Sequence, residues 1–176
     1  MNSILIHNFD QVEKASNSLY VIDIDDTLLH YYNLNKKWLS KEGEILMNKY
    51  NKTEALRKLY NKWEKELHKV IPIATDYYGI NNLIQFCSLN NSDIIFLTAR
   101  NKRVEEITRY HVSQIIHQNF PIYFAGGRSK GKILKTIINK YNYTKYNHIY
   151  FIDDIEENCE SVEKELPNIK TYLYKF

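Results

Sequence analysis

The stretch LYVIDIDDTL, Leu19–Leu28, limits what this chain can fold into more than any other. Leu19 to Ile22 is a short apolar run of the kind that makes a fully buried strand. It stops at Asp23, and Asp25 and Asp26 follow before Thr27. A strand interior cannot hold uncompensated carboxylates, because removing a charge from water costs far more than burying an alkyl group gains. The acids must therefore lie where the strand, read as Leu19–Ile24, emerges at its carboxyl end. In open α/β sheets that edge holds the ligand.

The rest of the chain supplies partners for this strand. Asp93–Thr98, Pro121–Ala125, His148–Ile152 and Lys170–Tyr174 read as further strands. Between them, apolar residues recur at helical spacing: Ile80, Leu83, Ile84 and Cys87, then Val104, Ile107, Val112 and Ile115, then Ile133, Leu134, Ile137, Ile138 and Tyr141. A further helix is expected over Glu156–Leu166. Asn101 and Ser129 stand where helix caps belong, and Gly126-Gly127 mark a turn. Strands alternating with helices imply parallel pairing through right-handed crossovers, hence a three-layer, doubly wound α/β sheet of Rossmann-like type.

One connection breaks the pattern. The first and second strands are separated by roughly 70 residues, far more than a crossover needs. Residues 3–18 read as a lead-in with a helical turn around Asp10–Ala15, and His30–Lys37 as a loop. Beyond that loop, Leu56, Leu59, Tyr60, Trp63 and Leu67 share one helix face, while Ile45 and Leu46 suggest an earlier helix broken near Asn51. Pro72 ends the helical region. The expected division is a core of residues 1–30 and 72–176, with a small helical cap over residues 31–71 at the mouth of the crevice.

Composition excludes several classes. A chain of 176 residues, 44% of them hydrophobic, suits one domain with a real core. The formal charge of +3 is too small to argue for a nucleic-acid partner. Cys87 and Cys159 form no CxxC pair and read as free thiols. No apolar run approaches the roughly 20 residues that cross a bilayer, which argues against a membrane partner. MNSILIHNFD has neither the charged start nor the long apolar stretch of a signal peptide, so a cytoplasmic location is the default expectation.

Three strands end in polar residues: Asp23 and Asp25 on the first, Thr98 on the second, Asp153 and Asp154 on the fourth. In a parallel sheet these ends share one edge. Carboxylates gathered there repel one another by several kcal/mol per close pair at an effective dielectric near 20. A bound cation removes the conflict, and with hard oxygen donors and no matching His or Cys set the best candidate is Mg2+. Such a cation attracts phosphate, to which Lys130 at a helix start would add positive charge.

At these residues the chain resembles the haloacid dehalogenase-like (HAD) phosphohydrolases. Their four motifs match Asp23-Ile-Asp25-Asp26-Thr27, Leu97-Thr98, Lys130 and Asp153-Asp154, in order and across most of the chain. It is similar to bacterial members carrying DIDDTL, LTAR, a KGxxL segment and FIDDxxxN, here with Asn158 at the last position. The resemblance implies a Mg2+-dependent phosphatase acting on a small phosphorylated substrate. Asp23 would be the nucleophile, and Asp25 the general acid and then the base. Thr98, Ala99 and Lys130 would hold the phosphoryl group. Asp23, the Asp25 main-chain carbonyl and Asp154 would bind the metal, with Asp153 and Asn158 supporting them. Lys132 competes with Lys130, which fits the KGxxL pattern better. Asp26 stands where Gly is commoner in the family.

Other residues have plainer readings. Arg100, Lys102, Arg103 and Arg109 read as a charged helix face, or else as a substrate-facing patch. Tyr31, Tyr32, Trp38, Tyr60 and Trp63 read as the core of the cap, or else as a binding surface for a substrate's leaving group, and the six histidines show no zinc spacing. Two alternatives to the phosphatase stand: a phospholigand-binding regulatory module without turnover, and a phosphatase of nucleic-acid ends.

Overall fold

Hydrogen bonding joins the six longer-range strands into one all-parallel sheet, as described for residues 3–176 in a computed structural model. The strands are β1 (Ile4–Ile6), β2 (Ser18–Ile22), β5 (Asp93–Thr98), β6 (Ile122–Phe124), β7 (His148–Asp153) and β8 (Lys170–Tyr174). Their order across the sheet is β1-β8-β7-β2-β5-β6. β3 (Leu29–His30) and β4 (Ile73–Ala74) form a separate antiparallel ribbon.

Alternation along the central strands decides the layers. Leu19 and Val21 of β2, Ile95 and Leu97 of β5 and Phe151 of β7 pack with Leu134, Ile137 and Ile138 of α5 (Lys130–Lys140) and with Cys159 and Val162 of α6 (Glu156–Glu165). Tyr20, Ile22, Ile94, Phe96 and Ile152 face the other way. They pack with Ile80, Leu83 and Ile84 of α3 (Tyr77–Leu89) and Val112 and Ile115 of α4 (Glu105–Ile115). Both faces of the sheet are covered, which is why its strands read as unbroken apolar runs. The result is the expected three-layer Rossmann-like α/β fold.

The connections explain where a site can form. From β2 the chain reaches β5 and then β6 on one side; it then crosses back to β7 and β8 on the other. The carboxyl ends of β2 and β7 thus flank the point where the strand order reverses, which is where open sheets of this type leave a crevice.

The long connection holds two antiparallel-ribbon strands and two helices, α1 (Lys36–Met47) and α2 (Lys52–Leu67). Asn35 and Asn51 cap them, accepting from Trp38 N at 3.2 Å and Glu54 N at 3.0 Å. The break near Asn51 is therefore a cap, and the loop expected over His30–Lys37 is shortened by β3 and by the first turn of α1. The ribbon draws the two ends of the insertion together at its root.

Three other expectations need correcting. The lead-in contains β1, an edge strand paired to β8, and only a short 3-10 turn at Phe9–Gln11; with Ile6 alone buried in β1, no alternation announces it. Asn101 caps a 3-10 turn, Lys102–Val104, that precedes α4. Ser129 occupies the cap position of α5 but its side chain makes no capping bond.

Candidate functional site

Backbone pairing brings the acids of two strands together. Beyond the last residue of β2, Asp23 N donates to Ile152 O at 2.9 Å, which sets Asp23 beside the end of β7. Asp23, Asp153 and Asp154, all buried, each offer a ligand oxygen within 4.8 Å of the others. No other group of this kind occurs among the described residues.

Lys130 completes the cluster. It is the first residue of α5, only 1% exposed, and its Nζ donates to Asp153 Oδ2 at 2.6 Å and to Asp23 Oδ1. The next residue explains how a helix start is drawn so far inward. A Cβ on Gly131 would lie 1.9 Å from the Ser161 carbonyl oxygen, so α5 and α6 meet backbone to backbone there. Gly131 N also donates to Ser161 Oγ at 3.0 Å. Lys132, two residues on, is exposed.

The two adjacent acids at the end of β7, Asp153 and Asp154, differ in what they already hold. Asp153 Oδ1 accepts from Ile155 N at 2.9 Å and Asn158 Nδ2 at 3.0 Å, while Oδ2 accepts from Lys130. With both oxygens engaged by protein donors, Asp153 orients the lysine. Among the described residues, Asp154 Oδ2 accepts from Lys36 Nζ alone, at 2.6 Å, from a side chain that is 64% exposed. A cation can displace that partner far more readily than it can displace Lys130.

Around the cluster, Thr98 is buried at the end of β5 and its Oγ1 accepts from Arg100 N at 3.1 Å. Ala99 is exposed, and its carbonyl accepts from Gly127 N at 3.0 Å. Gly126 and Gly127 have φ of +60° and +74°, conformations that side chains resist, so this turn folds tightly against the loop after β5. Asp26 also has a positive φ, 59°, a conformation Asp tolerates better than most residues. Its Oδ1 lies 2.7 Å from His30 Nδ1.

Asp25 points elsewhere than into the cluster. Its two oxygens accept from Arg100, Oδ2 from Nε at 2.9 Å and Oδ1 from Nη2 at 2.7 Å. Arg100 is thus a buried ion-pair partner, which overturns its reading as part of a charged helix face; it precedes the helix and turns inward. Arg103 and Arg109 do lie on the surface, bonded to Glu64 at 2.5 Å and Glu105 at 2.8 Å. Of the aromatic set, Tyr31 is buried and Trp38 and Trp63 are partly so, while Tyr32 and Tyr60 are exposed and form no core.

Electrostatics favours a bound cation. Burial, reinforced by Asp153, Asp154 and Asp25, pushes the Asp23 carboxyl well above the usual carboxylate range despite Lys130. Burial also raises Asp154, against the pull of Lys36. Burial opposes the Lys130 charge, but Asp153 and Asp23 outweigh it and hold the ammonium above its ordinary value. Three buried carboxylates facing two ammonium groups leave an unmatched negative charge, and the donors are all hard oxygens, so the residues fit a hard divalent ion. A cavity of about 320 Å³, lined in part by Asp26, His30, Asn35, Lys36 and Asp154, opens beside the cluster.

The sequence pattern misplaces Arg100 on a helix face and gives Lys36 no role. The position of Arg100, two residues past the Thr98 strand end, was a usable signal. Nothing local marks Lys36, because its reach to Asp154 depends on how α1 is hung on the ribbon.

Residues 121–176, which include Lys130, Asp153, Asp154 and Asn158, match a sequence family described as a protein of unknown function (DUF2608). No curated protein matches the chain. Among solved structures, it is similar to the crystal structure of a hydrolase from Streptococcus pneumoniae TIGR4, with a TM-score of 0.54 and 16% identity over 93% of this chain and 94% of that one. At that identity the likeness concerns the fold, which extends across essentially the whole of both chains.

Proposed function

We propose that this chain is a Mg2+-dependent phosphatase that hydrolyses a phosphate monoester through a phosphoryl group carried on Asp23, in the manner of the HAD phosphohydrolases its motifs resemble. The carrying observation is the buried cluster of Asp23, Asp153 and Asp154 around the Lys130 ammonium. A structural ion pair needs one carboxylate per lysine; here the carboxylates outnumber the lysine, and one of them, Asp154, lines a cavity.

Each residue then has a task. Asp23 attacks phosphorus, and the bond to the ester oxygen breaks. Asp25 supplies the proton to that oxygen, then takes one from the water that attacks the phosphoryl-Asp23 and releases phosphate. Lys130 uses two of its three N–H donors on Asp23 and Asp153, leaving the third for a phosphoryl oxygen. The Thr98 hydroxyl and the amides of the loop after it provide further donors to that group. Mg2+, held by Asp23, Asp154 and the Asp25 carbonyl, would neutralise charge on the transferring phosphoryl group. Asp153 and Asn158 keep Lys130 in place. The paired helices α1 and α2, within residues 31–71, act as a small cap over the mouth of the core formed by residues 1–30 and 72–176.

The test is hydrolysis of an aryl phosphate with and without Mg2+. Activity is expected only with the metal, and Asp23→Asn should abolish it. Full activity in Asp23→Asn overturns the assignment.

A further inference from the structure

We propose that Arg100 is the positioning residue for Asp25, fixing the orientation from which its carboxylate takes a proton from water when the phosphoryl-Asp23 breaks down. The inference rests on the phosphatase reading and deepens it. Arg100 grips both oxygens of Asp25, in the two-pronged geometry a planar guanidinium offers and a lysine cannot. Arg100 is itself held from several sides. Nη1 donates to Thr108 Oγ1 at 3.0 Å, and that hydroxyl donates to Val104 O at 2.7 Å. Nη2 also donates to Tyr31 Oη at 2.8 Å, which lies 2.7 Å from His111 Nδ1. The Trp63 ring of α2 lies 5.3 Å from the guanidinium carbon.

The pair is asymmetric in a telling way. The Arg100 side chain is 1% exposed, whereas that of Asp25 is 34% exposed. One side of the carboxylate is clamped and the other is open. Each clamped oxygen accepts one bond and retains a second acceptor site, so the open side can receive a proton. A buried arginine kept only for packing would be costly without a partner carboxylate; this one is spent on the single acid that must meet water in the proposed cycle. In that step the water oxygen bonds to phosphorus, its proton goes to Asp25, and the bond from phosphorus to Asp23 breaks.

The experiment uses 4-nitrophenyl phosphate with Mg2+, because nitrophenolate leaves without help from an acid and only the second step then needs Asp25. In Arg100→Lys, kcat should fall by roughly tenfold or more, with KM falling by a similar factor and kcat/KM nearly unchanged. A burst of one nitrophenolate per active site should precede the slow phase. A fall in kcat with KM unchanged, or no change in either, overturns the proposal. If Arg100→Lys does not fold, Thr108→Val decides: it should show the same paired fall in kcat and KM at smaller amplitude, and unaltered kinetics reject the inference. If the wild-type chain hydrolyses no phosphate ester, or Asp23→Asn stays fully active, the phosphatase reading itself has failed and this inference goes with it.

Discussion

Two lysines reach the same acidic centre, and almost everything else about them differs. Lys130 comes from a core helix, is 1% exposed, and is fixed by two carboxylates and by the backbone contact that Gly131 permits. Lys36 comes from the first turn of the inserted helical pair, is 64% exposed, and touches Asp154 at 2.6 Å and Asp26 at 4.0 Å. The buried contact belongs to the sheet, and the cluster cannot be built without it. The exposed one is a contact that water, salt or a metal ion can replace. The same division runs through the molecule: the sheet is held by large apolar side chains on both faces, whereas α1 and α2 bury only Gly43, Ala55, Leu59 and Leu67 and meet the core through few apolar side chains, Leu67, Trp38 and Trp63.

The comparison breaks if the two lysines respond alike to removal. Lys130→Met leaves Asp23 and Asp153 buried and facing each other, so it should cost about 3–5 kcal/mol of stability and reduce activity by at least roughly a hundredfold. Denaturant unfolding and steady-state kinetics measure both.

Gly131→Ala comes next. Its methyl would collide with the Ser161 carbonyl, forcing α5 away from α6 and Lys130 out of the cluster. A loss of about 2–3 kcal/mol is expected, with activity falling even though no side chain of the site has been altered.

A third test concerns the network behind Asp25. Burial, with the Arg100 charge adding repulsion, pushes His111 down to about 4. Its folded pKa thus lies below the unfolded value near 6.5, so the unfolded chain binds the extra proton between these two values. Stability from this group is present above about pH 6.5 and is lost as the pH falls toward 4. The Tm of the wild-type chain should drop through that window by a few degrees more than that of His111→Asn.

Lys36→Met is the smallest effect on stability, at most about 1 kcal/mol, as for exposed ion pairs in general. It sharpens the comparison in another way. With the ammonium gone from Asp154, Mg2+ binding measured by calorimetry should tighten by several-fold, whereas Lys130→Met should disturb the site instead.

How much of this was legible in the sequence follows from the same division. The strand ends announced themselves because Asp23, Thr98 and Asp153-Asp154 each interrupt an apolar run, and the switch in strand order then brings β2 and β7 side by side. Lys130 was legible through its glycine neighbour. Arg100 was misread because a basic residue near a helix start looks solvated until tertiary contacts with Asp25, Tyr31 and Thr108 are known. β1 was missed because three residues with one buried side chain carry no period. Local pattern marks what the sheet buries; it is silent on groups that earn their place by reaching across from another element.

The most direct measurement is to acid-quench the protein during turnover of an aryl phosphate with Mg2+ and map any covalent adduct by mass spectrometry. A single phosphoryl group on the peptide containing Asp23, absent from Asp23→Asn, is the predicted result. Steady hydrolysis with no adduct on that peptide, or an adduct at another residue, would contradict the account.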